Sequence, residues 1–126
     1  MTQFLLDTNV VLWLSENEPR INSIKPLLMS IESEVFISVI TWWEITIKVR
    51  AGKLDVDLNQ LQFNAEANNF IELPITGKYM KTYLELPFLH KDPFDHMLLA
   101  QAISSPMRLI TSDSLLAEYS SLVMVV

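Results

Sequence analysis

Four acids in this chain hold positions from which their carboxylates could act together. Asp7 directly follows the short apolar run Gln3–Leu6, and Asp113 follows the run Arg108–Thr111. Glu44 lies near the start of the segment Thr41–Ala51, and Asp95 near the start of Pro93–Ser104. Carboxylates gathered in one place can hold a divalent cation, which can activate water. The sequence contains no cysteine, and its two histidines, His90 and His96, fit neither an HExxH nor a zinc-finger spacing. That removes thiol chemistry and the common zinc sites. Oxygen donors alone favour Mg²⁺ or Mn²⁺.

Asp95 is the most telling of the four. Leu98, Leu99 and Ala102 follow it at i+3, i+4 and i+7, so it heads an apolar helical stripe and faces inward. An unpaired charge there is destabilising by on the order of several kcal/mol. No lysine or arginine adjoins Asp7, Asp95 or Asp113 in sequence. Each acid also has an ordinary structural role open to it. Asp7 and Asp113 can cap helices, Thr41 and Glu44 form a capping-box pattern, Glu44 can pair with Lys48 at i+4, and Asp92 with Asp95 suits a helix start.

The elements that must position these acids alternate. Strands are expected at Gln3–Leu6, Val35–Val39, Phe70–Leu73, Arg108–Thr111 and Leu122–Val125. Helices are expected at Thr8–Glu16, Ile21–Ser33 with a break or kink at Pro26, Thr41–Ala51 closed by Gly52, and weakly at Asp57–Asn68. Further helices follow at Thr76–Leu84, Pro93–Ser104 and Ser114–Tyr119, with a loop at Pro87–Asp92. The pattern is that of an α/β fold, a small, mainly parallel central sheet flanked by helices. Residues 1–126 form one domain by length. Ligands of such sheets bind beyond the carboxyl ends of the strands, so Asp7, Glu44 and Asp113 are expected neighbours, with Asp95 within reach.

Four stretches taken together resemble the PIN domain: Leu5-Leu6-Asp7-Thr8-Asn9, Trp43-Glu44-Ile45, Asp92-Pro93-Phe94-Asp95 with Leu98-Leu99-Ala100-Gln101-Ala102, and Thr111-Ser112-Asp113. Within that family they are most similar to the VapC-type toxins of bacterial toxin–antitoxin pairs. The resemblance spans residues 3–125. It implies a metal-dependent ribonuclease, usually dimeric, silenced by a cognate antitoxin, with Asp7, Glu44, Asp95 and Asp113 as the catalytic acids. Thr111 or Ser112 matches a small hydroxyl residue that precedes the last acid.

On this basis Asp7, Asp95 and Asp113 are candidate metal ligands. Glu44 is a ligand for a second ion or orients the attacking water. Thr8, Asn9 and Ser112 are candidates to hydrogen-bond these carboxylates. The net charge of −6 argues against a protein that merely coats nucleic acid, so an RNA substrate must be held by local cations. Lys48, Arg50, Lys53 and Lys91 are the candidates. The mean hydropathy of +0.27 is high for a small soluble monomer and points to apolar surface covered by a second copy or a partner. The helix bearing Glu44 offers such a surface, since Trp42, Ile45 and Val49 form one apolar arc and Trp43, Ile47 and Ala51 another.

The longest apolar runs are five residues, Val10–Leu14 and Leu122–Val126, far short of the roughly 18 that a membrane span needs. A cytoplasmic protein with no membrane segment is expected. A haloacid-dehalogenase-type phosphatase would show Asp-x-Asp where Asp7-Thr8-Asn9 stands. A receiver domain would need a late lysine, yet the last is Lys91. The remaining alternative is a non-catalytic α/β protein-binding module that keeps the acids as helix caps.

Overall fold

A computed structural model describes residues 1–88 and 91–126, so His90 lies outside the described residues. Five strands, β1 (Thr2–Leu6), β2 (Ser33–Ser38), β3 (Ile71–Leu73), β4 (Arg108–Thr111) and β5 (Val123–Val125), form one sheet in the order β3-β2-β1-β4-β5. Every pairing is parallel, with Leu6 opposite both Ile37 and Ile110. The first two connections extend the sheet on one side of β1, and the third crosses back to the other. The carboxyl ends of β1 and β4 therefore flank the point where the strand order reverses, which is where such sheets bind ligands.

Residue alternation sorts the core into two layers. Phe4, Leu6, Val35, Ile37 and Ile110 point to one face, where α1 (Thr8–Glu16), α2 (Lys25–Leu28) and α4 (Leu58–Ala67) cover them. Leu5, Phe36 and Leu109 point to the other, beneath α5 (Lys78–Glu85) and α6 (Pro93–Ser104). Each leucine withdrawn from water in these layers contributes about 1.5–3 kcal/mol. Helix α3 (Val39–Arg50) belongs to both layers: Ile40 packs with the α6 side, Trp42 and Ile45 with the α1 side. It lies at the end of β2 and carries Glu44.

Three expectations need correction. The stretch 21–33 is not one kinked helix but a 3-10 turn at Pro19–Ile21 and the single-turn α2, after which β2 already begins at Ser33. Pro26 stands in the first turn of α2, where its missing N–H is harmless, so it starts a helix rather than bending one. The α3 start is two residues earlier than expected, because Ser38, not Thr41, caps it by accepting from the Ile40 N–H at 3.1 Å. Glu44 consequently sits in the second turn, and no capping box forms; Thr41 Oγ1 is buried without a hydrogen-bond partner. The 114–119 segment is a 3-10 turn, Ser114–Glu118. Gly52 does end α3, at φ +73°, a conformation that favours glycine.

Candidate active site

Asp7 is the hinge of the site. Its N–H donates to the Ile110 carbonyl at 3.0 Å, continuing the β1–β4 hydrogen bonding one residue past β1. Its side chain caps α1, with Oδ1 accepting from the Val10 N–H at 2.9 Å. The other oxygen accepts from the Thr111 hydroxyl. Thr111, the last residue of β4, is fully buried, and its Oγ1 also accepts from the Asp113 N–H at 3.1 Å. One hydroxyl thus joins the first acid to the backbone of the last. Asp113 is exposed and caps the 3-10 turn through Oδ1 and the Leu115 N–H at 2.9 Å.

Glu44 reaches this group from α3 and is nearly as buried as Asp7. Thr8 donates to its Oε1 at 2.6 Å, and Lys48 pairs with its Oε2 at 2.7 Å. From α6, Asp92 caps the helix by accepting from the N–H groups of Phe94 and Asp95. Asp95, in the first turn, is half-buried, and no hydrogen bond to its carboxylate is formed by any described residue.

A polar cleft of about 220 Å³ collects these groups, lined by Asp7, Thr8, Asn9, Glu44, Lys48, Asp92, Asp95 and Asp113. A larger groove of about 420 Å³ beside α4 holds only Glu66 and Glu72 as ionisable groups, so the chemistry lies in the smaller one. Burial pushes the Asp95 carboxyl up to about 7, and the charges of Asp92, Asp7, Glu44 and Asp113 push in the same direction. Burial also raises Asp7, against the hydrogen bonds from Thr111 and Val10 that hold it down. The cleft therefore has more negative charge than Lys48 offsets.

The donor set suits a hard divalent cation: five carboxylates line the cleft, and neither cysteine nor a described histidine does. As they stand, no three of the described His, Asp or Glu side chains are gathered tightly enough to enclose one ion. Both oxygens of Asp7 and both of Glu44 already accept from protein donors, whereas no described residue donates to either oxygen of Asp95.

Other candidates divide. Thr8 bonds a cleft carboxylate directly. Asn9 lines the cleft and donates to Ser112 Oγ at 3.4 Å, so Ser112 is one step removed; of the two hydroxyl residues that the resemblance left open, it is Thr111 that bonds both Asp7 and Asp113. Of the four cations, Lys48 is in the cleft; Arg50, Lys53 and Lys91 are exposed and outside its lining. Asp92 was expected only as a helix-start partner, and its part in the electrostatics of Asp95 becomes visible only once the chain is folded. His96 points away, to Tyr119 at 3.0 Å.

Residues 4–122 match the family model of the PIN domain. Ribonuclease VapC22 of Mycobacterium tuberculosis is 26% identical over 115 residues, covering 90% of this chain and 88% of its own. The fold is shared with VapBC2 from Rickettsia felis, solved bound to a DNA fragment from its promoter (TM-score 0.74, 18% identity, 97% of this chain and 96% of that one). It is also shared with VapBC-1 from nontypeable Haemophilus influenzae (TM-score 0.69, 18% identity, 98% of both chains) and with a toxin–antitoxin complex from Klebsiella pneumoniae (TM-score 0.69, 21% identity, 95% and 94%).

Proposed function

Because this chain belongs to the PIN domain family, we propose that its acidic cleft hydrolyses RNA phosphodiester bonds with the help of Mg²⁺ or Mn²⁺, in the cytoplasm, as the toxin of a toxin–antitoxin pair. The observation that carries this reading is the convergence of Asp7, Glu44, Asp95 and Asp113 from four separate elements onto one cleft at the carboxyl ends of β1 and β4. The likeness to a VapC ribonuclease over 90% of the chain supports the substrate class.

Asp7, Asp95 and Asp113 would hold the cation, and Glu44 a second one or the attacking water. The bound cation supplies positive charge against the scissile phosphate and acidifies the water it holds. Thr111 keeps the Asp7 carboxylate turned to the cleft, and Thr8 does so for Glu44. Lys48, at the cleft wall, can exchange its bond to Glu44 for a phosphate oxygen, as its flexible stem permits. Arg50, Lys53 and Lys91 would then act on the flanking backbone of the RNA.

Two protein partners belong to the proposal. Relatives of this fold were solved as VapBC and toxin–antitoxin complexes, which supports a cognate antitoxin here. A second copy of the chain is supported by α3, whose Trp43 and Ile47 are 57% and 40% exposed on the arc turned away from the core. Light scattering should show a dimer for the parent and a monomer for Ile47→Arg; a parent that stays monomeric at high concentration, with no partner bound, removes this part.

The activity itself is tested with a mixed RNA pool. Cleavage is expected with Mn²⁺ or Mg²⁺ and none in excess chelator, restored when the ion is returned. If the protein neither cleaves RNA nor binds Mn²⁺, the acids have structural roles alone, Asp7 and Asp113 as caps, and the chain is a protein-binding module.

Among the described residues no helix is long and apolar enough to cross a membrane.

A further inference from the structure

Gln101 is a polar side chain that the cleft does not use. It is fully buried in the middle of α6, where residues 96–102 are all withdrawn from water. A buried amide is costly unless its hydrogen bonds are made. Both ends of this one are occupied. Nε2 donates to the Pro74 carbonyl, just beyond β3, at 3.2 Å, and Oε1 accepts from Ser38 Oγ at 2.5 Å. A carbonyl can only accept, so the amide orientation is fixed by its partner. Ser38 is fully buried as well. Its one proton goes to Gln101, which leaves a lone pair for the Ile40 N–H that it caps.

We propose that Gln101 is a positioning residue: through Ser38 it fixes the start of α3 against α6, and so sets Glu44 relative to Asp95. This rests on the metal-dependent nuclease reading. Glu44 lies six residues past Ser38, about 9 Å along the helix. Its bonds to Thr8 and Lys48 settle its rotamer, but its distance from Asp95 depends on how α3 sits on α6. Besides the packing of Ile40, two side-chain contacts between described residues hold that seam. One is Ser38–Gln101; the other is the edge-to-face pair Trp43–Phe94, with ring centres 5.7 Å apart. Trp43 and Phe94 each adjoin an acid of the cleft in sequence. A leucine at position 101 would fill the same space but could not join the ends of β2 and β3 to α6.

The test compares Gln101→Leu, Ser38→Ala, their double variant and the conservative Ser38→Thr in the full chain. Mn²⁺ affinity is measured by calorimetry without RNA, and kcat and KM are measured on one RNA oligonucleotide. Gln101→Leu and Ser38→Ala should each weaken Mn²⁺ binding by about 3–10-fold and lower kcat by about tenfold, with KM within about twofold, since neither residue touches RNA. The double variant should be no worse than the worse single one, and Ser38→Thr should keep both properties. Ile24→Val, a core truncation on the opposite face, controls for lost stability and should leave affinity and kcat unchanged. If Gln101→Leu does not fold, the Ser38→Ala and Ser38→Thr pair decides. A competent parent whose Ser38→Ala variant has unchanged affinity and kcat overturns this inference alone. A parent that neither binds Mn²⁺ nor cleaves RNA overturns the nuclease reading and the inference with it.

Discussion

Replacing Asp95 by asparagine is expected to abolish most RNA cleavage while leaving the metal-free protein as stable as the parent or more so. The two effects separate because of where Asp95 sits. The α6 cap is Asp92, whose bonds to Phe94 and Asp95 N–H groups survive the substitution, so no helix-end contact is lost. What disappears is a carboxyl crowded by burial and by Asp92, Asp7, Glu44 and Asp113, which together push it up to about 7. In an unfolded chain the same group titrates near 3.8. Below that pH both states hold the proton, and the folded protein loses nothing. As pH rises from about 4 towards 7 the unfolded chain releases its proton and the folded one keeps it, so unfolding gains ground. Thermal melts of the metal-free parent should therefore show stability falling across that window, and Asp95→Asn should flatten the slope.

Metal reverses the comparison. A cation held at a hundredfold excess over its Kd stabilises the parent by about 2.7 kcal/mol, roughly 10 °C for a chain of this length. Asp95→Asn should gain much less. Cleavage should fall by more than about a hundredfold, because even residues that only support a metal ligand are worth about 10–100-fold. Parental cleavage by Asp95→Asn, with the full thermal response to Mn²⁺, would leave Asp95 without a catalytic role.

The strand ends and their acids were legible in the sequence because both rest on local signals. An apolar run followed by an acid marks β1–Asp7 and β4–Asp113, and Pro93 with Asp92 marks the start of α6. The inward turn of Asp95 follows from helical spacing alone, and so does the split of α3 into a covered arc and a bare one, with Trp42 buried and Trp43 exposed. What escaped depends on distant partners. Segment 21–33 has helical spacing in Ile21, Ile24 and Leu28, all buried, yet the chain meets that requirement with two short turns before β2 begins. The capping-box pattern at Thr41–Glu44 is genuine as a pattern, but Ser38 caps the helix instead, and its hydroxyl donates to Gln101, 63 residues away in sequence. The pairing of Thr111 with Asp7 spans 104 residues; the resemblance offered Thr111 or Ser112 beside the last acid, and only the fold brings the Thr111 hydroxyl to Asp7.

Thr111 gives the second large effect, and the comparison with its neighbour makes it specific. Thr111→Val conserves shape and burial but removes a hydroxyl that donates a hydrogen bond to Asp7 and accepts one from the Asp113 N–H. Asp7 then keeps its cap bond to Val10 but loses the side-chain donor that helps to hold its carboxyl down against burial. The stability cost should be about 1.5–3 kcal/mol, the range for a hydrogen bond to a charged group. Activity should fall by about 10–100-fold, because the carboxylate that would hold the cation is no longer oriented and the Asp113 backbone is freed at the same time. Thr111→Ser restores the hydroxyl and should recover most of the loss. Ser112→Ala, whose only side-chain bond among the described residues is the 3.4 Å contact from Asn9, should remain within about twofold of the parent. The measurements are initial rates on one RNA oligonucleotide at saturating Mn²⁺, with melts to follow stability. If Ser112→Ala costs as much as Thr111→Val, or if Thr111→Val cleaves at the parental rate, the buried hydroxyl does not organise the two acids, and Asp7 must owe its orientation to the backbone N–H groups of Val10 and Ser112.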